Sequence, residues 1–252
     1  MLETLKERMV DYEASSDLKL TKKLPVVITI NGRCFRKTTS LFQKPYAEDF
    51  VTIMGQVLIQ LASEIEGSLL VYSFNDEINV ICRNDQTLES EAWYDNHVQK
   101  IASASAAIAS TAFLTAANKQ NIKLIGSPIF IAKTFVLPSV TETINYLISK
   151  QHQASQTAIY MACFYELLKK YDVDKVLKIL KNLSIEEKYD LLLKEFNIDL
   201  HDYPLAFWRG MACYRVKKLV DDKYKLKLTI NDKLPFFSKD QIFLQDIIKY
   251  GT

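Results

Sequence analysis

The hydrophobic positions of the chain repeat at two different spacings, and the alternation between them predicts the elements of its first half. Short apolar runs rich in β-branched residues predict strands, and apolar residues three or four positions apart predict helices. A helix from Leu2 to Ser15 is predicted first. The elements that follow are strand, helix, strand, strand, helix and strand, namely Leu24 to Ile30, Ala47 to Glu66, Ser68 to Phe74, Ile78 to Arg83, Glu89 to Lys119 and Ile129 to Leu137.

This βαββαβ order is the order of the ferredoxin-like fold, so the predicted fold class is α+β, with a palm of the polymerase and cyclase type. In that topology the first and third strands are antiparallel neighbours at the centre of the sheet. The end of strand one then meets the start of strand three. Asn31-Gly32 and Asp76-Glu77 are therefore predicted to lie side by side, although 45 residues separate them.

The pattern changes after Pro138, where mostly helical periodicity begins. Short linkers indicate that residues 1–138, the palm, and residues 139–252 share one core. Ser184 followed by Glu187 predicts a capping box. The predicted elements are helices over Thr141 to Tyr171, Val173 to Leu183 and Ile185 to Phe196, then a small hairpin that turns at Asp221-Asp222.

Composition indicates a globular protein: 48% of the 252 residues are hydrophobic, 25% are charged, and the net charge is only +2. The charged N-terminus does not resemble a signal peptide, and no run approaches the ~20 apolar residues of a membrane span. We therefore expect a cytoplasmic protein without a membrane partner. Four widely spaced cysteines favour buried reduced thiols over disulfides or zinc, and the three histidines share no metal spacing.

Asp76 and Glu77, in the hairpin between strands two and three, are the candidate metal-binding residues. Paired carboxylates can hold divalent cations that steer a hydroxyl and neutralise phosphate charge. The Gly32 carbonyl could add an oxygen ligand, because glycine lets the backbone approach a cation closely. Glu77 could bind through water or face the other side of its strand. The alternative is that Asn75-Asp76 forms an ordinary turn, since both residue types are common there.

Basic residues crowd the loop that follows strand one, where Arg33, Arg36, Lys37 and Lys44 lie. They indicate a triphosphate site beside the carboxylates, and an ordinary basic surface loop is the alternative. The small residues of "KIASASAAIAS", which begins at Lys100, favour close helix packing over phosphate binding. The lysines of "RVKKLVDDKYKLKL" form a solvated face or contact phosphates.

Six segments together resemble the tRNA-His guanylyltransferase family, and more closely its bacterial-type guanylyltransferase-like members, the 3′-5′ reverse polymerases. Their order and spacing are specific, and the resemblance covers roughly residues 3 to 216. "INGRCF" is similar to the family's I-D-G-[RK]-x-F, "FQKPY" to its F-x-K-P and "YSFNDEI" to its Y-x-x-S-D-E. The others are "AWYDNHVQKIASASAAIAS", "LPSVTETINYLISKQ" and "DYPLAFWRG".

The resemblance implies a nucleotidyltransferase that uses Mg²⁺ and adds nucleotides, template-dependently and in the 3′-5′ direction, to the 5′ end of tRNA or a tRNA-like RNA. It implies GTP and ATP as substrates and a homotetramer as the assembly. Asn31, Gly32, Asp76 and Glu77 then match the metal site. The implied nucleotide contacts are Arg33, Lys44, Asn75, Lys100 and Lys133.

Several positions depart from the family pattern. Asn31 replaces a metal-binding aspartate, and Lys133 replaces an arginine, so the charge remains but the bidentate fork is absent. The family's R-Q-x-D-x-x-R-N-S becomes "KQHQASQTA", from Lys150 to Ala158. Three hypotheses follow: an active reverse nucleotidyltransferase, a weak or silent palm that binds nucleotide or RNA, and an enzyme with another nucleotide reaction. An engineered Asp-to-Asn change would explain position 31 but not the other departures.

Overall fold

The computed structural model describes residues 4–220 and 223–250, and its centre is a six-stranded antiparallel sheet. Its strands stand in the order β4-β1-β3-β2-β5-β6. The first four confirm the ferredoxin-like topology, and the hairpin extends this same sheet beyond β2; its predicted turn at Asp221-Asp222 lies outside the described residues. The strands are β1 Val26–Gly32, β2 Ser68–Phe74, β3 Glu77–Cys82, β4 Phe130–Val136, β5 Met211–Val220 and β6 Lys223–Asn231.

Most helices lie within a few residues of their predicted bounds, but α4 begins nine residues later than Glu89. The chain before it turns through Tyr94, Asp95 and Asn96, which have positive φ angles and cannot continue a helix. Three short helices, α2, α8 and α9, were not predicted. The helices are α1 Leu5–Ala14, α2 Phe35–Thr39, α3 Glu48–Glu64, α4 Val98–Lys119, α5 Val140–Leu168, α6 Val173–Lys181, α7 Ile185–Phe196, α8 Leu205–Arg209 and α9 Gln241–Tyr250, with 3₁₀ turns Trp93–Asn96 and Leu200–Asp202.

The sheet separates two hydrophobic cores, and alternation along β1 distributes its side chains between them. Ile28 and Ile30 pack with α3 and α4 on one side, here named the α3 face. Val27 packs with α5 and α9 on the other side, here named the α5 face. The core of the α5 face joins β1, β2 and β3 to residues beyond 138, so the two predicted segments bury apolar surface against each other.

No apolar run long enough to span a membrane was expected from the sequence. Helix α4 is nevertheless long and apolar enough to cross a membrane, judged by its length and composition alone. In the fold it is a core helix: Ile101, Ala109 and Phe113 are buried against the sheet. Its alanines and serines permit this close packing, as the sequence predicts.

The four cysteines are free thiols. Cys82, Cys163 and Cys213 are buried, and burial raises the pKa values of the Cys82 and Cys163 thiols to about 12 and that of the Cys213 thiol to about 11, whereas Cys34 is exposed.

Candidate active site

The end of β1 and the start of β3 meet as the topology predicts. Asn31 pairs directly with Glu77 across the two strands. The N–H of Gly32 donates to the carbonyl of Asp76 at 3.1 Å. That bond makes the Asn31–Glu77 pair the type without backbone hydrogen bonds, in which opposing side chains are closest.

The Asp76 carboxylate lies on the α3 face, packed against the backbone of Gly32. A Cβ atom at position 32 would stand 2.7 Å from Oδ2 of Asp76 and would also collide with the ring of Phe35. Only glycine leaves room for both neighbours. Gly32 is therefore needed here so that the Asp76 carboxylate and the Phe35 ring can approach the backbone closely, while the predicted role of its carbonyl as a cation ligand stays a prediction.

A pocket of about 280 Å³ opens beside Asp76 and is walled by the basic loop. Its polar lining includes Arg36, Lys44, Asn75 and Thr157. A larger cleft of about 710 Å³ shares the wall formed by residues 42–47 and continues toward Glu166. The two volumes together fall in the range of sites for nucleotide-sized ligands.

Burial sets the charge balance in this pocket. It raises the pKa of Asp76, an effect that the neighbouring Glu77 increases and that a backbone hydrogen bond and Lys44 oppose. Burial also lowers the pKa of Lys44, and the negative charge of Asp76 opposes that shift. The two groups thus face each other across a partly dehydrated space, where a cation and a phosphate would offset both desolvation costs.

The N-terminus of helix α3 follows Lys44 closely, but it adds little to the attraction of anions. Its first turn carries two exposed carboxylates, Glu48 and Asp49, which oppose the favourable field of the helix N-terminus. A phosphate in this pocket would therefore depend on the side chains of Lys44 and Arg36.

Glu77 points to the α5 face, opposite to Asp76. This is the second of the two predicted alternatives, in which Glu77 faces the other side of its strand. Its Oε1 lies 2.6 Å from Nζ of Lys150 on α5 and accepts a 3.0 Å hydrogen bond from Nδ2 of Asn79. The hydroxyl of Tyr146 donates to Oδ1 of Asn79 at 2.6 Å. Burial raises the pKa of Tyr146, and the charge of Glu77 raises it further.

Three further residues of the predicted nucleotide site, Arg33, Asn75 and Lys133, lie at different positions around this sheet end. Arg33 is exposed beside β4, where its N–H donates to Ile129, and Asn75 occupies the turn with a positive φ. Lys133 pairs with Thr29, two residues before Asn31 on the same sheet face.

Lys100 lies at the opposite end of the sheet from Asp76. The adjacent Ile101 borders a small cavity with Val26 and Cys82, the pair furthest from the site in the β1–β3 register. The structure therefore does not bring Lys100 to the candidate nucleotide pocket.

The donor atoms at this sheet end fit one magnesium ion rather than a cage of carboxylates. Asp76 offers a carboxylate and the Gly32 carbonyl is a further hard oxygen donor beside it, whereas the Asn31 side chain stands at the same sheet end but on the α5 face, opposite Glu77. Among residues 4–220 and 223–250, no cluster of three or more acidic, histidine or cysteine side chains could hold a metal. Magnesium bound with few protein ligands keeps water and substrate phosphates in its shell, which suits this donor set.

Sequence reasoning missed the partners that α5 supplies. Tyr146 and Lys150 lie one helical turn apart and reach Asn79 and Glu77, whereas Thr157 and Met161, also four residues apart, border the Asp76 pocket. Their i, i+4 spacing was a usable signal for a shared helix face. It did not say which strand that face would cover.

Comparison with known proteins places this geometry in context. The model of the tRNAHis guanylyltransferase family matches residues 6–138, just over half of the chain. tRNA(His) guanylyltransferase 1 of Arabidopsis thaliana is 25% identical over 222 residues, which are 85% of this chain and 38% of the plant protein. The probable tRNA(His) guanylyltransferase of Drosophila melanogaster is 22% identical over 79% of this chain and 69% of its own length. The chain thus spans under two fifths of the length of the Arabidopsis relatives.

Two solved structures have folds similar to that of this chain over most of its length. A bacterial tRNA(His) guanylyltransferase-like protein in complex with ATP has a TM-score of 0.84 and 27% identity, and the match covers 98% of this chain and 99% of that one. The tRNA(His) guanylyltransferase from Saccharomyces cerevisiae has a TM-score of 0.69 and 18% identity over 89% of this chain and 98% of its own; this second likeness shows the fold alone.

Proposed function

Because this chain belongs to the tRNAHis guanylyltransferase family, we propose that it adds nucleotides in the 3′-5′ direction to the 5′ end of a tRNA or tRNA-like RNA. The single observation that carries the proposal is the Asp76 carboxylate facing Lys44 in a pocket at the sheet end of a palm. A carboxylate for a cation and an ammonium for phosphates are the two charges that nucleotidyl transfer requires.

The proposed reaction joins the 3′-oxygen of an incoming nucleoside triphosphate to the 5′ α-phosphorus of the RNA. The bond from that phosphorus to pyrophosphate breaks if the RNA carries a 5′-triphosphate, and the bond to AMP breaks if the RNA was adenylylated. The hydroxyl proton leaves to solvent. Magnesium, when bound, supplies the positive charge that stabilises the phosphate oxygens.

The chain's own residues would hold the reactants in place. Lys44 and Arg36 bind phosphate oxygens, and Asp76 orients the cation-bound phosphate against the wall formed by Gly32. Asn75 and Thr157 are further polar contacts on the pocket lining. Positioning of this kind, together with electrostatic stabilisation, accounts for most of the barrier reduction in phosphoryl transfer, because little covalent chemistry is left for the protein.

The substrates and surroundings belong to the same proposal. GTP and ATP are the proposed nucleotides; the related bacterial structure holds ATP, and a second bacterial tRNA(His) guanylyltransferase-like structure holds GTP. We also propose a template-paired tRNA as the RNA substrate, a homotetramer as the assembly, a cytoplasmic location and Mg²⁺ as the cofactor, because the resemblance to the family implies them. 5′-end repair and guanylylation of tRNA-His are both included as RNA targets.

Product analysis tests the proposal. The protein is incubated with Mg²⁺, α-labelled GTP and a tRNA transcript that lacks its first 5′ nucleotide and carries a 5′-triphosphate; nuclease mapping then locates the label. We expect label at the 5′ end, and loss of label with an RNA whose 3′ strand cannot pair with the added base. Label at the 3′ end, or none at any Mg²⁺ concentration, would contradict the proposal.

A further inference from the structure

Lys150 and Glu77 form a partly buried ion pair on the α5 face of the sheet end. Their charged atoms lie 2.6 Å apart, and the two side chains are only 20% and 17% exposed. Removing one partner of such a pair leaves an uncompensated charge with little water around it, which is far more costly than losing a surface pair. The pair is therefore a fixed part of the fold.

Neighbouring side chains fix the direction in which Glu77 points. Asn79 is fully buried and donates to the same carboxylate oxygen, while Tyr146 donates to Asn79. Because α5 supplies both Lys150 and Tyr146 from successive turns, turning Glu77 toward the Asp76 pocket would break its bonds to Lys150 and Asn79 together. Glu77 is thus held away from the pocket.

The charges of the site then fall into two separate sets. On the α3 face, Asp76 faces the phosphate-binding Lys44. On the α5 face, the charge of Glu77 is already matched by Lys150. A pair of divalent cations needs several free carboxylates, and only that of Asp76 is available among the described residues of this sheet end.

We propose that Lys150 is a fixed counter-ion which takes the place of a second divalent cation beside Glu77, so that the site binds a single divalent cation through Asp76. This inference rests on the nucleotide transfer proposed above. It makes Lys150 a positioning residue, because it acts through Glu77 and does not touch the reacting atoms.

The amide at position 31 fits the same arrangement. Asn31 stands directly opposite Glu77, with no hydrogen-bond partner for its side chain among the described residues. An aspartate here would place two carboxylates opposite each other against one ammonium, and like charges in that position destabilise a sheet. Asn31 adds no second carboxylate beside Glu77 and leaves Lys150 committed to Glu77.

Manganese binding without RNA tests the inference separately from transfer. Free Mn²⁺ is measured by electron paramagnetic resonance for the wild type and for the variants Asp76→Asn, Glu77→Gln and Lys150→Met. Lys194→Met is the matched control, because Lys194 also pairs with a carboxylate, that of Asp190, at 2.6 Å, but both of these side chains are exposed on α7. Thermal melts monitor folding, and Glu77→Gln, which is isosteric, decides the question if Lys150→Met does not fold.

We expect one Mn²⁺ per wild-type chain, at least tenfold weaker binding in Asp76→Asn, and affinity within twofold of wild type in Glu77→Gln and Lys194→Met. In Lys150→Met the freed Glu77 should bind a second ion. Two ions in the wild type, none at all, or a loss in Glu77→Gln equal to that in Asp76→Asn would overturn the inference. Because no RNA or transfer is involved, failure of the proposed reaction would leave these results unchanged.

Discussion

Glu77 and Asp76 are adjacent in sequence but lie on opposite faces of the sheet, Glu77 against Lys150 and Asp76 against Gly32. The turn between β2 and β3 produces this division, because Asp76 occupies the turn and Glu77 begins a pleated strand. Two carboxylates that look equivalent in the sequence therefore have different environments. Asp76 faces the candidate nucleotide pocket, and Glu77 anchors α5 to the sheet.

Asn31→Asp should increase Mg²⁺ affinity and raise nucleotide addition by at least about tenfold, or roughly 1.4 kcal/mol of barrier. Lys150 can neutralise only one of the two carboxylates that would then face each other, so the other attracts a cation. A magnesium titration of both binding and transfer checks this. Mass spectrometry must first exclude deamidation at Asn31-Gly32, and no gain in either quantity would show that position 31 is not a missing ligand.

Lys44→Ala should weaken binding of a magnesium-nucleoside triphosphate at least about tenfold, because the half-buried ammonium faces the pocket that Asp76 closes. Isothermal titration calorimetry measures the change. Lys100→Ala is the matched control: this lysine is exposed at the far end of the sheet and should leave affinity unchanged. Equal effects of the two substitutions would remove Lys44 from the nucleotide site.

The exposed lysines of the β5–β6 hairpin should contribute to RNA binding. Lys217, Lys218 and Lys227 are exposed on these two strands, where their ammonium groups can neutralise RNA phosphates. Alanine at Lys217, Lys218 and Lys227 together should lower tRNA affinity and reduce the salt slope by about 0.7–0.9 for each phosphate that the protein no longer neutralises.

Filter binding at several salt concentrations measures that slope. The control carries alanine at Lys6, Arg8 and Lys100, which are exposed on α1 and at the start of α4. If both triple variants behave like the wild type, the hairpin lysines form only a solvated face.

Gln151→Ala should lower the free energy of unfolding by about 3 kcal/mol. Gln151 is buried; it donates to the carbonyl of Pro235 at 3.0 Å and accepts from the N–H of Phe237 at 2.8 Å. Its removal leaves both backbone groups unsatisfied. Urea denaturation measures the change against Gln156→Ala, an exposed position on the same helix that should stay within about 0.5 kcal/mol of wild type.

Topology made much of the site predictable. The βαββαβ order alone brought Asn31 beside Glu77 and Gly32 beside Asp76, although the contact of Gly32 with the Phe35 ring was not predicted. The same topological argument could have excluded Lys100 from the predicted nucleotide site. A helix that follows β3 must begin where β3 ends, which is the far end of the sheet.

The Lys150–Glu77 pair was beyond sequence reasoning for a physical reason. It joins residues 73 positions apart and depends on two facts together, the face to which Glu77 points and the rotation of α5 about its axis. Neither follows from periodicity, because both orientations of Glu77 are compatible with its position beside a turn. The helix that supplies Lys150 is long and only weakly amphipathic, so its buried face was visible only after packing.

The most direct test asks whether Asp76 is required for nucleotide addition. It compares the transfer of labelled nucleotide to 5′-truncated RNA by the wild type and by Asp76→Asn under the same conditions. The substitution keeps the shape of the side chain and removes the only carboxylate among the described residues that line the pocket of about 280 Å³. We predict 5′-end addition by the wild type and none by Asp76→Asn, with both proteins equally folded. Addition that persists in Asp76→Asn, or a wild type that transfers nothing, would contradict this account.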